Sequence, residues 1–315
     1  MIMFSALLYG TSYAIRKIGQ EGMGLFYFTG LRFFAAFIFV ISVLTITHAR
    51  SKKINRLSAS DKDETHNGTV EKISDADLPS DRLPIRKQVK GGIIGGLALV
   101  AGAFFQQWGL MSTVVGKAGF VTSLYMFFVP LITWIVLKKK IKKQIWVGAA
   151  IAFVGLTLIS FEGEFELSKG VVAIFISAIF FAVRLVIVGQ FVTRSNPFVL
   201  NAAETGTATV ISLIFSLIFE HNNTIAAAIN GWFPLLYCGF ITLGLAGMIQ
   251  FSAQKKTVAS VTAIILSFES VFAAIFGMIL LREHLNFQQT IGCLLIFVAV
   301  LISQYEKKSI EPNSI

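Results

Sequence analysis

Four charged side chains stand within long apolar runs of this 315-residue sequence: Arg32, Arg184, Glu204 and Glu269. A charged side chain inside a lipid bilayer costs a few kcal/mol, so it usually faces a protein interior or a water-filled cavity. An arginine in such a place can bind an anionic group. A carboxyl group there can carry a proton, because burial disfavours its charged form.

Arg32 and Glu269 lie deep in their runs. Arg32 is about nine residues, or roughly 13 Å, from the start of its run, too deep for its guanidinium to reach the membrane surface. We expect it to contact an anion or a carboxylate in a cavity; a buried ion pair or carbonyl contacts are the alternatives. Glu269 lies about eleven residues into its run, which suits proton coupling. A structural hydrogen bond, to a neighbouring helix or to Arg32, is the alternative.

Arg184 and Glu204 stand at similar distances on either side of the short connection 193–197. Two helices joined by such a connection run antiparallel, so the two side chains reach the same depth. The spacing predicts an ion pair between them. A contact with a substrate is the alternative role.

Uncharged polar side chains on other apolar runs complete a candidate binding set. An aromatic wall with a few hydrogen-bonding groups suits a small organic molecule. With Arg32, the predicted substrate-binding residues are Tyr9, Thr11, Ser12, Gln106, Gln107, Trp108, Tyr125, Gln250 and Ser267. Hydrogen bonding between helices is the alternative for each of them.

The composition indicates which class of protein positions these residues. The sequence is 55% hydrophobic and 14% charged, whereas soluble domains carry roughly 25% charged residues. This excludes a soluble domain, a disordered chain and a disulfide scaffold. The net charge of +10 sits in short loops, so we expect no nucleic-acid binding. Cys238 and Cys293 lie in apolar runs and no histidines have metal-ligand spacing, so we expect neither metal nor cofactor.

Apolar runs long enough to cross a bilayer occur ten times, each needing about 20 residues. Backbone groups inside lipid must be paired within the chain, so these runs are predicted to be helices. Their limits are 2–19, 24–47, 91–111, 118–137, 145–161, 169–192, 197–219, 231–251, 258–281 and 286–304. The fold class expected is therefore an all-α integral membrane protein with the lipid bilayer as its surroundings. Residues 50–90 have mixed charge and little apolar content, which predicts a flexible cytoplasmic loop.

Basic residues collect on one side of the predicted spans. Twenty of the 27 Lys and Arg residues fall in the segments 50–90, 138–143, 192–197, 252–257 and 305–315. The positive-inside rule therefore predicts that both termini are cytoplasmic. Arg16 and Lys17 are then expected at the outer end of the first span. The acidic loop 162–166 agrees with an outside position.

The two halves of the chain resemble each other weakly. Residues 124–134 match residues 264–274 with Pro130 against Ser270, and the run from Val147 matches the run from Ile291. Each half has five spans, an odd number, so the halves have opposite orientations in the membrane. We expect two inverted five-helix repeats, 1–161 and 162–315, with ligand binding between them near the midplane.

Four motifs in order resemble the EamA-type drug/metabolite transporter superfamily. The first is LLYGTSYAIRK at 7–17, where the family usually has Trp-Gly and this chain has Tyr9-Gly10. The second is GLRFFAAF at 30–37, the third GKAGFVTSLYMFFVPLITW at 116–134, and the fourth ASVTAIILSFESVFAAIFGMILLREHL at 259–285. The fourth has Ser270 and Arg282 where the family has Pro and Gly. The resemblance implies a ten-helix transporter in two inverted repeats, and it fixes no substrate.

The function expected is secondary transport of small organic metabolites, such as amino acids or amphipathic toxic compounds, by alternating access. Export is what the resemblance favours, and the lack of a eukaryotic-looking targeting tail makes a bacterial cytoplasmic membrane the expected location. A non-transporting membrane scaffold or sensor acting through residues 50–90 is the alternative. An enzyme is disfavoured, because no His or Asp lies inside a span and no Walker A motif occurs. The sequence leaves homo-oligomerisation open.

Overall fold

The computed structural model describes residues 1–20, 22–60, 83–160, 168–221, 223–281 and 287–304, and these ranges contain helices and no strand. The helices are α1 (Ile2–Gly19), α2 (Leu25–Ser60), α3 (Ile85–Met111), α4 (Val115–Ser123), α5 (Tyr125–Ile135), α6 (Lys143–Ser160), α7 (Lys169–Phe191), α8 (Pro197–Phe219), α9 (Ile225–Asn230), α10 (Trp232–Leu236), α11 (Gly247–Gln254), α12 (Ala259–Leu266), α13 (Phe268–Leu281) and α14 (Phe287–Gln304). A π-helical segment, Tyr237–Ala246, joins α10 to α11.

Seven helical stretches in the described residues are long and apolar enough to cross a membrane. They are Leu25–Arg50, Ile85–Met111, Val115–Ile135, Lys169–Arg194, Pro197–Phe219, Trp232–Gln254 and Ala259–Leu280. Two shorter apolar helices are Lys143–Gly155 and Thr290–Ala299. The chain is a multi-pass helical membrane protein.

The segment predicted as a flexible loop, 50–90, is partly helical. Helix α2 continues to Ser60 and α3 begins at Ile85, so the prediction was wrong at both ends. Helical backbone satisfies its own hydrogen bonds, so residues with good helix propensity can extend a span beyond the apolar run. Residues 61–82 and the predicted acidic loop 162–166 lie outside the described residues.

Two of the predicted spans are interrupted near their middles. Helices α4 and α5 meet at Leu124, and α12 and α13 meet at Ser267, 143 residues later. The two breaks lie together, since the Ser123 hydroxyl donates to the carbonyl oxygen of Ser267 at 3.4 Å. This spacing differs from the sequence alignment of Pro130 with Ser270. Short apolar runs match in several registers, whereas a break in the helical hydrogen bonding marks a single position.

The helices of the first half pack against those of the second in corresponding pairs. Helix α6 packs on α14, and α2 packs on α8. Helix α3 contacts α7 and α8, while the π-helical segment contacts α1 and α2. Helix α1 contacts α13, while α5 contacts α7. The largest buried apolar cluster lies where α1, α4, α5, α7, α12 and α13 meet.

Glycines allow the closest of these approaches. A Cβ atom at Gly92 would lie 2.5 Å from the Cβ of Ala203 on α8, and one at Gly91 would lie 2.6 Å from the ring of Phe191 on α7. Small residues at four-residue spacing let membrane helices approach in this way. The glycine-rich start of α3 thus packs against both α7 and α8.

The α7–α8 connection is held to the start of α3. The Asn196 side chain caps α8 by accepting from Phe198 N at 3.0 Å, and Pro197 is suited to the first helical turn. Gln88 Oε1 accepts from Asn196 N at 2.9 Å, and Leu83 N donates to Arg194 O at 2.8 Å. These contacts fix the depth of both helices relative to α3.

The N-terminus of α2 is capped by a residue of the second half. Both carboxylate oxygens of Glu220 accept hydrogen bonds at 2.8 Å, one from Phe26 N and one from Tyr27 N. The N-terminus of a helix favours a negative charge, so this contact stabilises α2. Arg32 lies less than two turns further along the same helix.

Candidate functional site

A central cavity of about 100 Å³ lies between the two halves. Helices from both halves line it, and its walls combine charged, hydroxyl and aromatic side chains. Nine residues predicted from the sequence line this cavity: Tyr9, Ser12, Arg32, Gln106, Tyr125, Arg184, Glu204, Gln250 and Glu269. All four charged residues singled out at the start are therefore brought to one place.

Arg184 and Glu204 form a bidentate ion pair, as their spacing predicted. Arg184 Nε lies 2.7 Å from Glu204 Oε1, and Nη2 lies 2.9 Å from Oε2. Paired N–H···O bonds of this kind are among the strongest in proteins. Gly95 leaves room for the carboxylate, because a Cβ atom there would lie 3.2 Å from Glu204 Oε1. The guanidinium also lies 5.6 Å from the centre of the Phe251 ring.

Arg32 has no such partner. Its side chain is 3% exposed and its Nε lacks any hydrogen-bond partner. The part of the chain that the structure describes provides neither an ion pair nor a hydrogen bond to this guanidinium. Two rings lie near it, Phe28 at 5.7 Å and Phe33 at 5.5 Å. Cation–π contacts stabilise such a charge only partly.

A hydrogen-bonded chain connects Arg16 to Glu269 across the cavity. Arg16 Nη1 donates to Gln106 Oε1 at 2.6 Å, and Gln106 Nε2 donates to the Tyr13 hydroxyl at 2.9 Å. The Tyr13 hydroxyl in turn donates to Glu269 Oε1 at 3.4 Å. Gln106 Nε2 also contacts the Thr122 hydroxyl at 3.1 Å. Gln106 therefore joins three helices at the cavity wall.

The sequence expected Arg16 at the outer end of the first span and did not predict that its side chain is buried. Arg16 lies in the last turn of α1. It is 5% exposed and lines the cavity. Tyr9, Ser12, Tyr13 and Arg16 all line the cavity from α1. Their spacing puts them on one helical face, and that periodicity is the signal that could have identified Arg16 and Tyr13.

Three uncharged polar side chains at the cavity keep an unpartnered atom. The Tyr9 hydroxyl donates to Gln250 Oε1 at 2.7 Å, which leaves Gln250 Nε2 without a partner. The Tyr125 hydroxyl and Asn201 Nδ2 are likewise buried and unpartnered. Buried polar groups are normally hydrogen-bonded, so such atoms at a cavity wall are suited to a ligand.

Four predicted binding residues do not line the cavity. Thr11 contacts the Tyr237 hydroxyl at 2.6 Å, and Gln107 donates to Gln20 on the same side of the bundle. Trp108 is 51% exposed, and the Ser267 hydroxyl donates to Ile264 O at 2.7 Å in its own helix. Consecutive helical residues point about 100° apart, so only one of residues 106–108 can face the cavity.

Sequence reasoning did not find several lining residues of the second half. They are uncharged or apolar side chains with no distinctive spacing: Phe181, Leu185, Asn201, Thr205, Thr242 and Leu243. Thr242 and Leu243 come from the π-helical segment, a conformation often found at functional sites. Hydroxyl groups in apolar helices commonly bond their own backbone, so their presence alone does not indicate a site.

A second recess of about 690 Å³ lies at one end of the bundle. Its basic lining residues come from the loop before α6 and the loop between α11 and α12: Lys139, Lys140, Lys142, Lys255 and Lys256. No Asp or Glu is present among the residues described as lining it. On α7 the two cavities are adjacent, since Leu185 lines the central cavity and Val186 lines the recess.

Comparisons with known proteins agree with this architecture. An uncharacterized transporter of Archaeoglobus fulgidus is 29% identical over 303 residues, which are 94% of this chain and 82% of that protein. An uncharacterized transporter of Methanothermobacter thermautotrophicus is 20% identical over 206 residues, 64% of this chain and 60% of that protein. One crystal structure has a similar fold, with a TM-score of 0.70, 18% identity and coverage of 96% of this chain and 95% of the other.

The model of the EamA-like transporter family matches residues 1–161 and 168–305, nearly the whole chain. With the multi-pass helical fold and the polar central cavity, this match shows that the chain belongs to the EamA-like transporter family.

Proposed function

We propose that this membrane transporter is a secondary carrier of small organic metabolites that binds its substrate in the central cavity. The observation that carries the proposal is the cavity itself, which is lined by charged, hydroxyl and aromatic side chains from both halves. A site between two halves can be opened to either side by rocking one half against the other. The substrates proposed are amino acids, related metabolites or amphipathic toxic compounds, and the direction proposed is export.

Ten spans in two inverted repeats, 1–161 and 162–315, are the architecture we propose for this movement. The packing of the helices supports this architecture. Helix α2 packs on α8, and α6 packs on α14, and each pair joins equivalent spans of the two halves. The neighbouring breaks at Leu124 and Ser267 support it as well. The basic loops support a cytoplasmic position of both termini in the cell membrane.

Glu269 is the residue we propose for coupling to protons. Its carboxylate lines the cavity and has no ion pair among the described residues, unlike Glu204. Among the described residues, the Tyr13 hydroxyl donates a long hydrogen bond of 3.4 Å to Glu269 Oε1. A carboxyl group held this loosely can gain and lose a proton without breaking a strong pair.

Transport in proteoliposomes tests the proposal. A mixed pool of amino acids and metabolites is loaded, with and without an inward proton gradient, for the wild type and for Glu269→Gln. We expect gradient-dependent flux that the substitution abolishes. Flux that ignores both the gradient and the substitution would make Glu269 structural and the carrier a facilitator of diffusion.

A membrane scaffold or sensor acting through residues 50–90 is the competing proposal. Deleting that segment separates the two functions. A transporter should keep some flux without this segment, whereas a scaffold acting through the segment shows no flux in either form. We also propose that the protein is not an enzyme. Mass spectrometry of the transported molecules tests this, and it should find them chemically unchanged.

A further inference from the structure

We propose that the central cavity recognises a carboxylate group, which is held by the guanidinium of Arg32 and by unpartnered donors that line the same cavity. This inference rests on the proposed transport function and narrows its substrate class to organic carboxylates, zwitterionic amino acids included. It disfavours cationic amphipathic compounds, which the general proposal allows.

Four fully buried side-chain atoms of the cavity lining have no hydrogen-bond partner, and each of them can donate. They are Arg32 Nε, Tyr125 Oη, Asn201 Nδ2 and Gln250 Nε2, and their residues are at most 3% exposed. A buried donor without an acceptor carries the cost of its lost hydration. An ionised carboxylate is an acceptor with two oxygens and about four lone-pair positions, which complements such a set.

Several acceptors of the same cavity are, by contrast, already occupied, whereas Glu269 accepts only a long hydrogen bond of 3.4 Å from Tyr13 among the described residues. Both oxygens of Glu204 accept from Arg184. Gln106 Oε1 accepts from Arg16, and Gln250 Oε1 accepts from Tyr9. A ligand that offers only donors would bind mainly at Glu269, whereas a ligand that also offers acceptors would satisfy the unpartnered donors.

The balance of charges at the cavity also favours a carboxylate ligand. Arg184 and Glu204 neutralise each other, which leaves Arg16 and Arg32 facing the single carboxylate of Glu269. A buried positive charge without a counter-ion is unfavourable, and one bound carboxylate would supply that counter-ion. In an amino acid the ammonium group would then face Glu269.

The lysine-lined recess beside α7 is suited to supplying such a substrate. Its five lysines stand around one opening, and its described lining includes no acidic side chain. A recess lined by charges of one sign raises the local concentration of ions of the opposite sign. An organic anion would therefore be concentrated next to the helix that lines both cavities.

The test compares two pools that differ only in the carboxylate. One contains the protein amino acids with straight- and branched-chain carboxylates, and the other contains the corresponding amides. Counterflow from proteoliposomes is measured by mass spectrometry for each pool. We expect flux of carboxylates to exceed that of the matched amides by about 10- to 100-fold, the value of a charge-assisted hydrogen bond.

Equal flux of a carboxylate and its amide would overturn the inference and leave the transport function standing. Flux from neither pool would overturn both. The wild-type comparison therefore decides the question even where a variant does not fold.

Variants locate the recognition at Arg32. Arg32→Gln, which keeps a polar side chain without charge, is expected to remove the preference for carboxylates, and Arg32→Lys to retain part of it. Lys117→Gln is the matched control, because it removes one positive charge outside the cavity lining. Tyr125→Phe removes only one hydroxyl and is expected to lower carboxylate flux by about fivefold. A carboxylate preference that survives Arg32→Gln unchanged would contradict the assignment.

Discussion

The two halves carry opposite charges at the same helical position, but only one of these charges is paired. Arg32 is the eighth residue of α2, and Glu204 is the eighth residue of α8. Glu204 is closed into a bidentate pair with Arg184, whereas Arg32 has no hydrogen bond in the described residues. The cavity wall formed by α7 and α8 therefore has its charges paired, whereas the wall formed by α1 and α2 keeps an unpaired arginine among the described residues. We infer that the first wall supports the bundle and the second binds ligand.

Breaking the closed pair is expected to have the largest effect on stability. Arg184→Met leaves the carboxylate of Glu204 buried without a partner, which should lower the free energy of unfolding by about 3–5 kcal/mol. Unfolding in detergent micelles measures this. The double variant Arg184→Met/Glu204→Leu is the control and should recover most of the loss, because no unpaired charge remains. A double variant as unstable as the single one would show that packing, not charge, holds this wall.

Pushing α3 away from α8 should have the next largest effect. In Gly92→Ala the new Cβ would lie 2.5 Å from the Ala203 Cβ and 2.8 Å from the Leu200 carbonyl oxygen. Helix α8 must shift and carry Glu204 with it, at a cost of about 1–3 kcal/mol. The same unfolding assay measures the loss.

Gly116→Ala is the matched control for Gly92→Ala. Its Cβ would meet no atom closer than 4.0 Å, so stability should hold or rise slightly. Equal losses in both variants would argue against close packing of α3 on α8.

Removing the unpaired charge should change stability in the opposite direction. Arg32→Met deletes a buried guanidinium that no described residue satisfies, so we expect the free energy of unfolding to rise by about 1–2 kcal/mol. The comparison with Arg184→Met in the same detergent tests the sign. A destabilisation as large as that of Arg184→Met would mean that both walls depend on their arginines in the same way.

The smallest effect is expected outside both walls. Trp108 was predicted to bind substrate, yet it is half exposed on the surface of α3. Trp108→Leu should leave transport in proteoliposomes unchanged, while Gln106→Leu should reduce it by breaking the contacts to Arg16 and Tyr13. Loss of flux in both variants would place the substrate path along the outer face of α3.

The sequence alone predicted the parts of this site that depend on depth in the membrane. The Arg184–Glu204 pair followed from equal distances to one connection, and Arg32 and Glu269 were recognisable as charges in apolar runs. Rotation of each helix about its axis was not predictable, because packing against neighbouring helices sets it. For that reason Gln106 could not be separated from Gln107, whereas the face that Arg16 shares with Tyr9 and Ser12 on α1 was a signal available in the sequence.

The most direct test of the central claim is whether the cavity opens to both sides of the membrane. Two variants, Ser12→Cys on α1 and Thr205→Cys on α8, each place one cysteine at the cavity. Both are made in a background in which Cys238 and Cys293 are replaced by alanine. We predict that an impermeant thiol reagent reaches each position from either side of sealed vesicles, and that the carboxylate pool slows both reactions. Cysteines that react from one side only, or from neither, with no effect of the pool, would contradict a substrate site between two moving halves.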